Sequence, residues 1–219
     1  MAQNTGVPEQ VGEPQRRSAH RPSRRQEIVD AAVRVFGHKG FADASIQDIA
    51  AEAGVAPTAV YYHYAGKEEL FDLSLRQVLD QISAVVVGAR PDGAPAGMDS
   101  LAQVIEAVWE WIESHPDEAR MFWLHTSGAT SQARIIRQQF EQRHAQRAFD
   151  YMSTSQLPPR TRRSAAARHA AHTLAVRSFI STLIYVSVLR LEGGPLAGMP
   201  SDALKKAVVE VTPRFIMLD

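Results

Sequence analysis

The sequence predicts an all-α chain, and three observations carry the expectation. Aromatics are only 7% of the 219 residues, Ala is abundant and β-branched runs are few. Apolar residues recur three and four apart along most of the chain, with no convincing strand and no internal repeat. Ser, Pro and Gly punctuate this periodicity as helix starts and stops, at intervals that fit about nine helices.

Residues 1–22 are rich in Gln, Glu, Gly and Pro and then in Arg, so they bury little apolar surface and are expected to form a disordered arm. Order begins at Ser23, where Ser23-Arg24-Arg25-Gln26 reads as a capping box. Ile28, Ala32, Val35 and Phe36 continue at helical spacing, and Gly37 and Gly40 are expected to end this first helix. Ser45-Ile46-Gln47-Asp48 starts a second helix with a short stripe of Ile46, Ile49, Ala50 and Ala53, which Gly54 stops. Pro57 reopens a third at its first position, where a missing N–H costs nothing, and it runs to about Tyr64. Two short helices joined by a Gly-containing turn behind a longer one are the helix-turn-helix pattern, with the second of the pair as recognition helix.

Lys67 opens a long fourth helix with the stripe Leu70, Leu73, Val78, Ile82 and Val85, and residues 90–100 read as a loop. Leu101 to Ile112 form a fifth helix, stopped by Pro116, which also starts a sixth with Asp117 and Glu118 in the first turn as the macrodipole prefers. A seventh runs from Ser131 to about Ser153, an eighth from Thr161 to Leu191, and a ninth from Ser201 to about Ile216, kinked or ended near Pro213. The eighth is apolar or small on nearly every face from Ala170 to Leu189, and such a helix is buried on both sides. One side can face the interior; the expected cover for the other is a second copy, giving a homodimer through the last two helices. Ala171, Ala175, Ser178 and Thr182 are small enough for close approach.

Composition narrows the function. Apolar residues at 45% supply a core, and 24 basic against 24 acidic residues exclude a uniformly basic coat while allowing a local basic patch. There is no Cys, hence no disulfide, thiol nucleophile or Cys-bound zinc. Residues 1–22 lack an apolar signal core, and the least polar stretch, Ser178 to Leu189, falls short of the roughly 20 residues that span a bilayer. A soluble, cytoplasmic protein without membrane contact is expected. P-loop, dinucleotide, zinc-protease and nucleophile-elbow motifs are absent from the sequence. His169 and His172 share a face but lack an obvious third ligand. No metal, no cofactor and no catalytic residue is expected.

The segment from Arg25 to Leu70 resembles the TetR/AcrR family of transcriptional regulators. The resemblance rests on Ile28-Val29-Asp30-Ala31-Ala32, Phe36, Lys39-Gly40-Phe41, Ser45-Ile46-Gln47-Asp48-Ile49-Ala50, Ala53-Gly54-Val55, Val60-Tyr61-Tyr62-His63-Tyr64 and Lys67-Glu68-Glu69-Leu70. It covers about a fifth of the chain; the remainder matches only in architecture. It implies a helix-turn-helix DNA-binding domain at 23–66 and a helical ligand-binding and dimerisation domain at 67–219. It also implies a homodimer on a palindromic operator and a small-molecule effector that changes the spacing of the two reading heads. Most members are repressors released by ligand; an activator or corepressor uses the same fold with opposite coupling.

Base edges are expected to meet Pro57, Thr58 and Ala59 at the start of the recognition helix. By the family pattern Tyr61, Tyr62 and His63 follow, while Val60 is core. Thr58 and Ala59 offer one hydroxyl and two methyls and no bidentate group, so shape and phosphate contacts carry more of the readout. Ala56 stands where a capping Ser is common. Lys67, a cation against the macrodipole, is expected to meet phosphate, and Ser45 to act as cap and phosphate donor. Arg24 and Arg25 are placed on phosphate, while Arg16, Arg17 and Arg21 either enter the minor groove or belong to a solvated tail.

The effector pocket is expected among helices four to eight. Trp109, Phe122, Trp123 and Phe140 are its apolar candidates, each also a candidate for plain core, and His144 is either an interior histidine or a ligand group. Between Arg120 and Arg190 there are eleven Arg against two acids, Glu141 and Asp150. Arg147 and Arg177 are named for the pocket. Arg177, flanked by Leu174 and Ile180, is expected to be buried and to need an anion, from the chain or from a ligand. An amphipathic anion such as an acyl-CoA or a fatty acid fits an apolar cavity rimmed by arginine.

Overall fold

The structure, a computed structural model, describes residues 23–90, 98–124, 129–153, 165–191 and 193–216. Among these it forms nine helices and no strand: α1 (Arg24–Asp43), α2 (Ile46–Glu52), α3 (Pro57–His63), α4 (Lys67–Ala89), α5 (Met98–Ser114), α6 (Pro116–Leu124), α7 (Ser131–Ser153), α8 (Ala165–Leu191) and α9 (Ser201–Ile216). None of them is long and apolar enough to cross a membrane. The arm at 1–22, the loop residues 91–97 and the break at 154–164 lie outside the described residues, as do the side chains of His169, Ala171, His172, Ala175 and Phe179.

The first helix departs from expectation at both ends. Ser23 Oγ accepts from Gln26 N at 3.3 Å, but the Gln26 side chain does not return to the cap; it bonds to Asp30 and Gln77. Gly37 does not end α1. It lies inside the helix, buried, and the chain kinks only at Gly40, where φ is +75°. The residue is Gly for a packing reason: a Cβ at position 37 would lie 2.6 Å from the carbonyl oxygen of Asp117 in the first turn of α6. Glycine here lets two helix backbones touch.

The helix-turn-helix pair is built as its local signals dictate. Ser45 caps α2 with a full capping box, Oγ to Asp48 N at 3.1 Å and Ser45 N to the Asp48 carboxylate at 3.0 Å. Gly54 turns the chain with φ +64°, and α3 starts on Pro57 behind Ala56, which makes no side-chain cap. With no cap to fix it, α3 is held by its buried residue Val60 and by packing on α2.

Beyond this unit α4 is the axial element. Its buried residues Leu70, Phe71, Ser74, Leu75, Val78, Leu79 and Ile82 line a helix that packs against α1, α5, α6 and α7. Phe36, Phe41 and Phe71 form an aromatic knot, with ring centroids 5.0 to 6.1 Å apart, joining α1 to α4. α7 is tied to α4 at its start: Thr130 Oγ1 accepts from Ala133 N at 2.9 Å as cap and donates to Asp72 at 2.6 Å. α8 packs against α5, α6, α7 and α9. α5 begins at Met98, three residues earlier than its periodicity suggested, and α9 continues through Pro213.

Candidate nucleic-acid interface and effector site

α3 presents a polar face. Pro57, Thr58, Tyr61 and Tyr62 are exposed, Ala59 and His63 are half-buried, and Val60 is core. Tyr62 is 84% exposed and Tyr61 56%, so both hydroxyls stand in solvent. The Tyr62 ring meets only its neighbour His63, edge to face at 5.0 Å. A large ring held open at this level on a short helix is costly to a free surface and useful at an interface. The next residue does the opposite. Tyr64 is buried, and its hydroxyl donates to the carbonyl of Arg25 at 2.7 Å, tying the end of α3 to the start of α1. Arg25 lies over the Tyr64 ring at 5.4 Å, and exposed Arg24 pairs with Glu27 at 3.0 Å. Arg24, Arg25 and the exposed face of α3 thus belong to one compact unit.

Two expected phosphate groups have structural partners. Ser45 Oγ, besides capping, bonds to Asp48 at 2.7 Å. Asp48 also receives Lys39 at 2.6 Å, and these two bonds hold its carboxyl down at about 2. Lys67 is corrected more strongly. Its ammonium donates to the carbonyls of Phe41 at 2.9 Å, Ala42 at 3.3 Å and Ala44 at 3.0 Å, and it sits 4.6 Å from the centre of the Phe41 ring. All three donors are spent on the C-terminal turn of α1 and the residue after it, where partial negative charge gathers. The cation that opposes the start of α4 serves the end of α1. Glu68 and Glu69 supply the acids that α4 itself prefers.

The expected pocket residues do not come together as one set. Trp109 is fully buried between α5 and α9, its indole N–H donating to Ser201 Oγ at 2.9 Å, so it is core with a satisfied polar handle. Ser201 bonds in turn to Glu113, which Arg190 holds at 2.6 Å. Trp123 is half-buried on the other side of the bundle, beside Tyr185 of α8 at 5.1 Å. Phe122, Phe140 and His144 do form a cluster: Phe122 meets Phe140 at 6.0 Å and Phe140 meets His144 at 4.2 Å. Arg147 is half-buried one turn further along α7. Arg177 is not buried. Its side chain is 59% exposed and bridges to Glu141 at 2.7 Å, because the α8 face carrying Leu174, Arg177, Ser181 and Tyr185 points outward in the single chain. The reading missed Arg137, which is buried at the centre of the cluster. The signal was available: Arg137 lies three and four residues from Phe140 and Ala133, on the inward stripe of α7.

His144 is a neutral interior histidine. Its Nε2 lies 3.1 Å from Ser83 Oγ, and burial, reinforced by Arg143 and Arg147, pushes its pKa from 6.5 down to about 4. The unfolded chain therefore binds a proton below about pH 6.5 that the folded chain refuses until about pH 4. The stability contribution is complete above the unfolded value and is lost as pH falls through that window, by up to about 3 kcal/mol. His144→Gln keeps a polar partner for Ser83 and cannot titrate. The urea midpoints of the wild type and this variant are expected to converge between pH 7.5 and pH 5; a constant gap would show that His144 titrates normally.

Comparison with known proteins follows the same division of the chain. The family model for bacterial regulatory proteins of the tetR family matches residues 28–73, which span most of α1, all of α2 and α3 and the first turns of α4. The transcriptional regulator BetI of Brucella anthropi is 26% identical over 151 residues, covering 68% of this chain and 76% of the relative. The transcriptional repressor KstR2 of Mycobacterium tuberculosis is 30% identical over 113 residues, covering 52% of this chain and 56% of the relative. Among solved structures, the fatty acid degradation regulator FadR from Bacillus halodurans superposes with a TM-score of 0.68 at 16% identity, covering 88% of this chain and 95% of that one. The capped α2, the Pro-started α3 and the start of the long α4 all lie within residues 28–73, the segment that matches the tetR family of bacterial regulatory proteins.

Proposed function

We propose that the protein is a dimeric repressor whose α1–α3 unit at 23–66 reads a palindromic operator and whose region from 67 onward binds a small amphipathic effector that releases it. The observation that carries the DNA reading is the outward face of α3, where Thr58, Tyr61 and Tyr62 project from a helix with a single buried residue. Pro57, Thr58 and Ala59 meet base edges, and Tyr61, Tyr62, His63, Arg24 and Arg25 position the head on the backbone. Lys67 and Ser45 are left out, their donors being spent. The dimer reading is supported by the exposed stripe Leu174, Arg177, Ser181 and Tyr185 on α8 and by exposed Val211 on α9. A self-complementary face on a two-fold axis would mirror the operator's symmetry.

An acyl effector, as an acyl-CoA or a fatty acid, is favoured over a cationic drug. Phe122, Phe140 and half-buried Trp123 offer apolar surface, and Arg147 adds positive charge beside it while Glu141 is already paired with Arg177. A fatty acid degradation regulator is among the proteins that share this fold, which supports testing acyl compounds first. The test starts with duplex DNA selected by the full-length protein from a random pool. Tyr62→Ala is expected to weaken that complex about tenfold and to lower its salt slope by about one, without changing the melting temperature. Unchanged affinity would remove Tyr62 from the interface. Release by palmitoyl-CoA or palmitate but not by a cationic dye is the expected ligand result. Tightening in place of release would identify a corepressor-type regulator.

A further inference from the structure

α7 turns one stripe inward, and Ala133, Ile136, Arg137, Phe140 and His144 are all buried along it. Four of these suit an interior; Arg137 does not. It is 8% exposed, its guanidinium lies 4.6 Å from the centre of the Phe122 ring, and Nη2 donates to the Phe122 carbonyl at 2.8 Å. That bond uses one of five N–H groups. The Nε–H is buried and meets no acceptor among the described residues. No carboxylate among them bonds to it: Glu141 acts on it only through space and is already paired with Arg177. A guanidinium remains charged in a protein interior, so this is a buried charge without a bonded counterion among the described residues.

We propose that Arg137 is the anion-binding group of the effector site and that the effector it selects is a free amphipathic carboxylic acid. The proposal rests on the reading above that this part of the chain holds an effector, and it narrows the effector's chemistry. The unspent N–H groups of one planar fork match the two oxygens of one carboxylate. The surroundings argue for a single negative charge. Ala133, Phe122 and Phe140 are apolar, and burial keeps His144 neutral, 3.1 Å from Ser83 Oγ. A coenzyme A thioester carries its charge as several phosphates, which would need several cations and water at this point. A carboxylate on the Nε side would lie beside the bond from Nη2 to the Phe122 carbonyl, so the same residue would register the ligand and pass it to α6, the helix that packs on α1.

The experiment compares the full-length wild type with Arg137→Met and Arg137→Lys, using palmitate, uncharged hexadecanol and palmitoyl-CoA. Thermal shift and operator release are read for each. Wild type should respond to palmitate at least tenfold more sensitively than to hexadecanol. Arg137→Met should melt at or above the wild-type temperature without ligand, because an uncompensated charge has been replaced by a packed side chain of similar length. It should bind operator normally and lose the palmitate response at least tenfold; Arg137→Lys, with charge but no fork, should fall between. A palmitate response that survives in Arg137→Met overturns the proposal, and so does an unliganded variant that melts lower or fails to fold, since that marks a structural clamp on α6. If palmitoyl-CoA alone acts, and equally on wild type and Arg137→Met, Arg137 is not the anion site while the acyl-effector reading stands. If wild type answers to neither palmitate nor palmitoyl-CoA, both readings fall.

Discussion

Lys67→Met is expected to lower the stability of the protein by about 3 kcal/mol, the scale of losing hydrogen bonds from a charged donor to several partly buried acceptors. For a chain of this size that corresponds to a fall in melting temperature of roughly 6 to 12 °C. Methionine keeps the length and the contact with the Phe41 ring but leaves the carbonyls of Phe41, Ala42 and Ala44 without their shared donor. Lys67→Arg should rescue little. A compact ammonium can point three donors at three convergent oxygens, whereas a planar fork spreads its donors in one plane. Calorimetry on the free protein separates this from a phosphate-contact role. A pure phosphate contact would leave the melting temperature alone and lower the salt slope of DNA binding by about one. An unchanged melting temperature in Lys67→Met would therefore restore the reading that the sequence alone suggested.

Gly37→Ala is the second large effect, and Gly88→Ala is its control. At Gly37 the new methyl would sit 2.6 Å from the Asp117 carbonyl oxygen and 3.3 Å from its carbon, both backbone atoms that no rotamer change can move. Overpacking of this kind costs about 1–3 kcal/mol, against which alanine's better helix preference returns at most about 1 kcal/mol. At Gly88, also helical, a Cβ meets nothing within 4 Å, so alanine there should be neutral or slightly stabilising. The two variants should differ in opposite directions in urea midpoint. The more telling readout is coupling. Asp117 also receives His38 and Arg120, each at 3.0 Å, so pushing the start of α6 off α1 should blunt the effect of ligand on operator affinity. Equal midpoints for the two variants would show that the backbone contact is slack.

What the sequence made legible is what neighbouring residues encode. Ser45 with Asp48, Gly54 and Pro57 each act within a few residues, and the capping box, the left-handed turn and the helix start were readable without knowing the fold. The departures at Lys67 and Gly37 are matters of distance along the chain. Lys67 finds its carbonyls 23 to 26 residues away, and Gly37 meets Asp117 of a different helix. A local rule read Gly37 as a stop signal because it cannot see that neighbour. Arg177 was assigned to the interior from apolar flanks, yet Leu174 beside it is itself 66% exposed, so apolar neighbours on a helix surface do not establish which side faces inward. Trp109 and Phe122 were interchangeable in the sequence. Only packing places the first at the α5–α9 contact and the second beside Arg137.

The length of α4 has a geometric consequence. Its 23 residues form a rod of about 34 Å, tied near its start to α1 by the aromatic knot and to Thr130 at Asp72, and further along to α7 at Ser83. A tilt of about 5° about the far end sweeps the near end through about 3 Å, close to the 3.4 Å rise of one base pair. In a two-fold pair the two sweeps add. Half-sites one helical turn apart lie about 34–36 Å from centre to centre. A few degrees of tilt in such a rod would therefore amount to an error of nearly two base pairs in reach, and a rigid duplex does not stretch to meet it.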